Sequence, residues 1–488
     1  MKDNWVIVNV ETKARELNAK ILLSGFLVNK GFKVLLINLR KPKEYFQLPK
    51  GIILDRNLFP IRKKVYSLME DLGNFIVCLD EEGLIFFDNS KYLRRILREN
   101  LEKTDLFLSW GNYQHDLMKK TFPEFADKFI ISGNPRMDLY RNSIRTFFHN
   151  DVIKLKKKYG NYILFVSNFG KANFFNSEKG ADAQNDIVKR LKSLGTIRNE
   201  QDEDFYNRFL VYSRKIFNEF QKLIVALAKE FQTLNFIVRP HPSENFETWK
   251  KLEKNNKNII VIYEGTLQPW IMGSLATLQN SCTSSIESYL LNIPSVGFRP
   301  YKSEEFDPFL PNELSIQHDD IESVRKFVYN IQKKEYDIEK KDHILDDFLC
   351  NYNEESTLSS EFIANILYEK FYNKNLPKKK ISKIVILYKI SGVKGNIKTI
   401  LYKILKISPK FLQTFSIWLY FKLNPSKKTE EGIQGGMWNV FYQNQKFPGF
   451  DEQEIAEKLN RFSQNIGFFS KIKVEKRTNS SYILSQNP

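Results

Sequence analysis

The first 300 residues alternate between short β-branched or apolar runs and longer stretches with helical spacing. Residues 5–10 read as a strand, 14–29 as a helix and 33–39 as a second strand, because apolar side chains recur at the matching periods. Residues 75–79, 106–110 and 129–132 add further strands, with helical patterns between them. Such alternation predicts a parallel sheet covered on both faces. After a lysine-rich helical connector near residues 151–159 the alternation starts afresh, with strands expected at 162–166, 236–239, 259–262, 276–279 and 295–298. Between the first two of these lies a polar stretch, about 176–204, that reads as an insertion or mobile loop, followed by a helix over 205–231. The pattern therefore predicts an α/β protein with two doubly wound, Rossmann-like domains and a cleft between them. The first is expected over 1–150 and the second over 151–375.

Charge changes this picture at one place. The 488 residues carry 75 Lys and Arg against 57 Asp and Glu, a formal charge of +18. Between residues 370 and 429 there are fifteen lysines, no arginine and no acid, so that stretch holds most of the excess. A nucleic-acid enzyme carries its basic surface on the folded domain and favours Arg, so a nucleic-acid partner is not expected. Within 376–429, Ile397, Ile400, Leu401, Ile404 and Leu405 recur at helical spacing among lysines, and Phe411, Phe415 and Trp418 extend the stripe. A lysine-rich amphipathic segment with a Trp suits an anionic membrane surface. An ordinary helix packed on the protein, its lysines solvated, is the plainer alternative. Residues 430–488 read as a short mixed tail.

No apolar run reaches the roughly 18 residues of a membrane span, and the first residues hold acids where a signal peptide would be apolar. A cytoplasmic location, peripheral on the inner face of the membrane, is the expectation. Cys78, Cys282 and Cys350 are odd in number and far apart, which argues against a disulfide framework or a zinc-cysteine site.

Ligands of doubly wound sheets sit beyond the carboxyl ends of the strands, and three strand ends are rich in chemistry. No GxGxxG or GxxxxGK[ST] follows any strand. Asp80-Glu81-Glu82-Gly83 places three carboxylates after a buried strand, where mutual repulsion and desolvation would raise a pKa toward that of a useful base; a solvated acidic turn is the plain alternative. Arg239-Pro240-His241-Pro242 fixes one histidine between two prolines beside an arginine, a pairing suited to a phosphate or a leaving oxyanion. Cys282-Thr283-Ser284-Ser285-Ile286-Glu287 turns from a strand into a helix, whose free amides and hydroxyls suit an anion, with Glu287 able to reach ribose hydroxyls or to close a capping box. Asn168 after the first strand of the second domain is a further candidate donor. Arg15 and Glu16 start the first helix, facing the cleft, with ordinary helix-surface roles as the plain alternative.

Arg239-Pro-His241-Pro242 followed some forty residues on by Cys282-Thr-Ser-Ser-Ile-Glu287 resembles bacterial surface-carbohydrate and capsule biosynthesis proteins of the GT-B fold. Lys13-x-Arg15-Glu16-Leu17-x-Ala19-Lys20, the Asp80–Gly83 turn, Trp110-Gly111 and Gly133-Asn-Pro-Arg136-Met-Asp138 strengthen it, over about residues 5–350. Related families include polysialyltransferases, capsule Kdo transferases and, more distantly, teichoic-acid polyol-phosphate polymerases. Ser284-Ser285 departs conservatively from the Thr-Thr-type turn expected there. The resemblance implies an acceptor domain over 1–150, a nucleotide-sugar domain over 151–375, and a metal-independent glycosyltransferase with no cofactor. It would move an acidic sugar, Kdo or a nonulosonic acid, from a CMP donor to a surface polysaccharide or lipid-linked glycan. Glu81 or Glu82 would be the base. His241, with Pro242, would contact the CMP, and Arg239, Asn168, Thr283, Ser284, Ser285 and Glu287 would complete the donor side. Arg15 and Glu16 would lie on the acceptor side. The alternatives are a CDP-glycerol or CDP-ribitol polyol-phosphate transferase and a non-catalytic glycan-assembly subunit.

Overall fold

The computed structural model describes residues 4–174, 181–193, 195–336, 338–378, 446–467, 469 and 472–486. Its first sheet is built on six parallel strands: β1 (Trp5–Asn9), β2 (Lys33–Ile37), β3 (Gly51–Asp55), β4 (Phe75–Leu79), β5 (Leu106–Ser109) and β6 (Phe129–Ile131). They run in the order β2-β1-β3-β4-β5-β6. The strand order reverses between β1 and β3, and a crevice opens beyond the carboxyl ends at that point. The second sheet holds β7 (Tyr162–Val166), β8 (Asn235–Arg239), β9 (Ile259–Val261), β10 (Ala276–Gln279), β11 (Ser295–Phe298) and β12 (Ile316–His318). It is parallel throughout, in the order β12-β11-β10-β7-β8-β9, and its switch point lies between β7 and β10. Helices cover both faces, so strands such as Tyr162-Ile-Leu-Phe-Val166 are buried on both sides and read as unbroken apolar runs.

The strands expected from the apolar pattern are present within a residue or two. β3 is an addition, and a central one. Its first residue, Gly51, lies against β1 so closely that a Cβ would stand 2.2 Å from the Trp5 carbonyl oxygen. The stretch 176–204 also differs from a loop. Ala181–Ser193 is helical, and the long helix Glu200–Glu230 starts earlier than its apolar spacing indicates. The Asn199 side chain caps it by accepting from the Asp202 amide, and Glu200, Asp202 and Glu203 fill its first turn. Acids there favour the positive end of the helix dipole, although in sequence they look like loop.

The chain returns to the first domain earlier than residue 375. The helix Ser359–Phe371 packs on the helix Lys13–Asn29, and buried Asp138 caps it by accepting from the Ser359 and Ser360 amides, each at 2.8 Å. The described part of 430–488 is likewise no separate tail. β13 (Ile472–Thr478) and β14 (Ser481–Gln486) form an antiparallel hairpin whose second strand pairs with β2, extending the first sheet to eight strands. The helix Glu452–Ile466 lies over the same face, with Phe462 stacked on Phe147 at 4.2 Å between ring centroids. Phe469 sits over Gly25, where a Cβ would come within 2.7 Å of its ring. Of the lysine-rich stretch 376–429, all but the first three residues lie outside the described residues. Among the described residues no helix is long and apolar enough to cross a membrane.

Phe462 is fully buried, so Phe462→Ala removes a large ring from the seam between the C-terminal helix and the first domain. The expected cost is about 3–5 kcal/mol, read as a lowered midpoint in denaturant unfolding. An unchanged midpoint would mean that the C-terminal helix is not part of the domain.

Candidate functional site

The carboxyl ends of β7, β8 and β10 carry the second-sheet side of the cleft. Across the switch point the Asn168 amide donates to Asn280 Oδ1 at 3.2 Å, tying the exits of β7 and β10 together. The loop after β8 is held from inside by Glu244. Its carboxylate accepts from Ser167 Oγ at 2.5 Å, the Phe169 amide at 2.9 Å, Asn173 Nδ2 at 3.3 Å, the His241 amide at 3.2 Å and Trp249 Nε1 at 2.8 Å. Burial pushes the Glu244 carboxyl above its usual range, and these donors pull against that push.

His241 Nδ1 accepts the Ser243 amide at 3.2 Å and lies 2.6 Å from Ser243 Oγ. With Nδ1 an acceptor, the neutral ring carries its proton on Nε2, which makes Nε2 a donor. Burial lowers the His241 pKa to about 3, with Lys446, Arg15 and Lys171 lowering it further and Glu82 opposing them. Arg15 and Glu82 belong to the first domain, Lys446 to the C-terminal segment and Lys171 to the loop after β7. The two crevices therefore share one cleft, in which Arg15 is paired with Glu16 at 2.8 Å and Lys446 with Glu11 at 3.1 Å.

Arg239 stands apart from this centre. It is buried and donates through Nη1 and Nη2 to the Glu264 and Gly265 carbonyls, each at 2.6 Å, with Tyr263 and Trp270 beside its guanidinium. Burial lowers its pKa to about 10. The guanidinium is thus committed to a loop while its neighbour His241 lines the cleft. Pro242 is buried.

At the third strand end, Ser281 takes a left-handed conformation (φ 48°) and its Oγ donates to Asn312 Oδ1 at 2.9 Å. The helix Ser284–Leu290 follows. Ser285 Oγ donates to the Cys282 carbonyl at 2.9 Å, Ser284 is buried, and Thr283 makes no side-chain cap. Buried Glu287 accepts from Arg136 Nη2 at 3.1 Å, joining the two domains. Burial raises the Glu287 carboxyl above its usual range, partly offset by Arg136 and Tyr140.

On the first-sheet side the acid turn separates into three roles. Asp80 folds it: Oδ1 accepts the Glu82 amide at 3.1 Å and Oδ2 accepts the Tyr92 hydroxyl at 3.0 Å. Glu81 is buried and paired with Lys20 at 2.5 Å, and its carbonyl accepts from Arg136 Nη1 at 3.4 Å. Glu82 is half exposed, with Arg95 at 3.0 Å and Arg15 at 4.0 Å. A raised base was expected, yet only Asp80 is raised, by burial. Burial also pushes Glu81 and Glu82 upward, but Lys20, Arg136 and Arg15 outweigh it at Glu81, and Arg95 and Arg15 outweigh it at Glu82. Both are held below the usual carboxylate range because the cations that the fold brings in are distant in sequence. Glu16 turns back on the start of its own helix, accepting from the Glu11 amide at 2.8 Å, the Thr12 amide at 3.3 Å and Arg15 Nη2 at 2.8 Å.

Two cavities flank this centre. One of about 430 Å³ is lined by Asn168, Lys171, His241 and Asn280 together with Phe86 and Phe209. The other, about 790 Å³, lies against Lys13, Asn18, Tyr263, Trp270, Lys458 and Arg461. Among the described residues no group of three or more His, Cys, Asp or Glu side chains converges as a metal site. Lys171, Glu244 and Lys446 are not singled out in the sequence, and Lys20 enters it only as the end of the first-helix motif. Lys171 was within reach, since it follows Asn168 in the same strand exit. Lys446 was not, because nothing local links residue 446 to residue 241.

No protein-family model matches the chain, and no curated protein matches it. Among solved structures it is similar to the UDP-GlcNAc 2-epimerase of Methanocaldococcus jannaschii in complex with UDP-GlcNAc and UDP, at 14% identity over 75% of this chain and 99% of that one, with a TM-score of 0.45. It is also similar to the wall teichoic acid polymerase TagF (12% identity, 75% and 88% covered, TM-score 0.48). The UDP-GlcNAc 2-epimerase of Neisseria meningitidis bound to UDP-GlcNAc gives 10%, 76%, 100% and 0.43 in the same terms. At such scores these likenesses carry no weight beyond their statement, and the functional reading rests on the geometry of the cleft.

A histidine with its pKa lowered to about 3 stays neutral across the physiological range. The unfolded chain binds a proton near pH 6.5 that the folded chain refuses. His241 therefore contributes stability that is complete above about pH 6.5 and is lost as pH falls toward 3. Its ring resonance, assigned by comparison with His241→Gln, is expected to show no titration between pH 5 and 8 in the free protein. A midpoint near 6.5 would put His241 in solvent rather than in the cleft.

Proposed function

We propose that the protein is a transferase of GT-B type that binds a cytidine nucleotide donor in the cleft between its two sheets and transfers the donor's activated group to a hydroxyl acceptor. The observation that carries this reading is His241: neutral, oriented by Ser243 and the Glu244 network, lining one cavity with Asn168 and Lys171, and within the charge field of Arg15 and Lys446. An Nε2–H donor amid cations, at the carboxyl end of a doubly wound sheet, suits a nucleotide phosphate. Asn168, Thr283 and the Ser284/Ser285 turn lie at neighbouring strand exits and would complete the donor side, with Arg15 between donor and acceptor. A carboxylate of the acid turn would take the acceptor proton. No metal or cofactor is part of the reading.

Two donor classes are compatible with the cleft. With a CMP-linked acidic sugar, the bond from the anomeric carbon to the phosphate breaks and CMP leaves. With a CDP-polyol, the acceptor oxygen attacks the distal phosphorus and CMP again leaves. A CMP-linked acidic sugar carries one phosphate and one carboxylate charge and a CDP-polyol two phosphate charges, so the cations of the cleft suit either. The motif resemblance supports the CMP-linked Kdo or nonulosonic acid, with CDP-glycerol or CDP-ribitol as the second reading. Incubation with each donor and a glycan acceptor, scoring CMP release and product mass, separates them. Nucleotide binding without CMP release from any donor would indicate a non-catalytic subunit. His241→Ala is expected to abolish transfer and to weaken cytidine-nucleotide binding by about 1.5–3 kcal/mol in calorimetry. Unchanged affinity and turnover would remove His241 from the site.

The acceptor in this reading is a surface glycan or its lipid-linked precursor, met at the inner face of the cytoplasmic membrane. The lysine-rich stretch 376–429 would hold the enzyme there, by about 1 kcal/mol per lysine near an anionic surface. Co-sedimentation with vesicles is expected to require anionic lipid, to fall in high salt and to disappear when 376–429 is deleted. Binding that survives the deletion would overturn the membrane role.

A further inference from the structure

Resting on that functional reading, we infer that the larger cavity binds a neutral, hydroxyl-rich oligosaccharide, the glycan end of the acceptor, and that the C-terminal helix Glu452–Ile466 forms one of its walls. Its volume, about 790 Å³, falls within the roughly 300–1,000 Å³ of ligand pockets. Four distant parts of the chain build it. They are the start of the helix Lys13–Asn29, the connector near Asp151, the segments after β8 and β9 at Phe246 and Tyr263, and the C-terminal helix. The strand order places it. The smaller cavity collects the exits of β7, β10 and β11 beside His241, whereas Tyr263 follows β9, on the other side of β8. The His241 loop, which follows β8, therefore stands between the two cavities. The helix that carries Arg15 also gives Lys13 and Asn18 to the larger one. A donor held at His241 and a glycan in the larger cavity would meet at this loop from opposite sides.

Charge decides the class of ligand. Four cations and four carboxylates line the cavity, and most of them are committed to fixed partners. Lys13 Nζ lies 2.7 Å from Glu454, and Lys458 Nζ donates to Asn18 Oδ1 at 2.7 Å. Arg461 donates through Nη1 to Asp151 at 3.1 Å and through Nη2 to Glu457 at 2.5 Å. Lys154 and Glu264, both exposed, are of opposite sign. With the charges balanced, a phosphate or a sugar carboxylate gains no net attraction. Vicinal hydroxyls do gain, because each fixed pair sets donors and acceptors side by side. The rest of the lining is aromatic, with Phe246 and Tyr263 5.8 Å apart between ring centroids and Trp270 in the same cavity. A pyranose has C–H groups on its faces and hydroxyls at its edge, so aromatic rings and paired charges in one cavity match both of its parts.

The test uses full-length protein and a panel of neutral tri- to pentasaccharides of glucose, galactose and N-acetylhexosamines, with uronic-acid counterparts, titrated by NMR. At least one neutral oligosaccharide is expected to bind. Phe246→Ala and Glu457→Ala are each expected to weaken it about tenfold and to leave cytidine-nucleotide affinity intact. Glu457→Ala also removes one carboxylate from the balanced set, so this variant is expected to gain affinity for the uronic-acid counterparts. In turnover with an accepted glycan, both variants are expected to raise the acceptor KM about tenfold. Glu457 is exposed, so its variant keeps the test decisive if Phe246→Ala fails to fold. Three results would overturn the site: no neutral glycan bound by wild type, tighter binding of the uronic-acid glycans by wild type, or wild-type affinity in Glu457→Ala. Glycan binding lost in His241→Ala but kept in Glu457→Ala would place the glycan on the donor side and equally overturn it. If wild type releases CMP from no donor, the functional reading fails, whereas the glycan titrations still decide the cavity.

Discussion

One buried carboxylate organises the second-sheet side of the cleft. Glu244 gathers donors from the exit of β7 (Ser167, Phe169, Asn173), from the exit of β8 (His241) and from the following helix (Trp249). Burying an ionised carboxylate costs several kcal/mol unless hydrogen bonds replace its water. Five protein donors do so here, and in doing so they fix the spacing of two strand exits. The orientation of His241 follows, since its amide is one of those donors and its ring is held by Ser243, the next non-proline residue. With that loop free to move, the ring would have no fixed relation to Asn168, Asn280 or the facing acid turn.

The facing wall works by pairing buried charges across elements. Lys20 meets Glu81, Arg136 reaches both the Glu81 carbonyl and Glu287, and Glu287 belongs to the second domain. Such pairs add little net stability, but removing either partner leaves an uncompensated charge, so they specify one arrangement of the parts. Arg136 thereby fixes the acid turn relative to the helix Ser284–Leu290. Arg15, Lys171 and Lys446 bear on a neutral histidine, with Arg15 paired to Glu16 and Lys446 to Glu11. A carboxylate between cations stays ionised and available, whereas one raised by burial alone would already hold its proton.

How much of this was legible from the chain differs by element. β7, β8, β10 and β11 were readable because strands buried on both faces are short, apolar and bounded by polar turns. β3 was not singled out: five residues beginning with Gly51 carry too weak a pattern, and its central place depends on how closely Gly51 approaches β1. The His-Pro loop and the acid turn were legible as strand exits. The partners of each were not. Arg239 stands two residues before His241, yet its side chain leaves for the carbonyls of 264 and 265.

The sequence by itself determined the α/β class, the two-sheet plan and that the His-Pro loop and the acid turn are strand exits, because hydrophobic period and strand-end polarity are local properties. Only the tertiary structure decided that residues 446–486 complete the first domain, that Lys446 reaches the charge field of His241, and that Glu81 and Glu82 divide into a buried pair and an open carboxylate. The physical reason is common to all three. Burial and counterion pairing are set by residues tens to hundreds of positions apart, and Coulomb energies follow distance in space rather than along the chain.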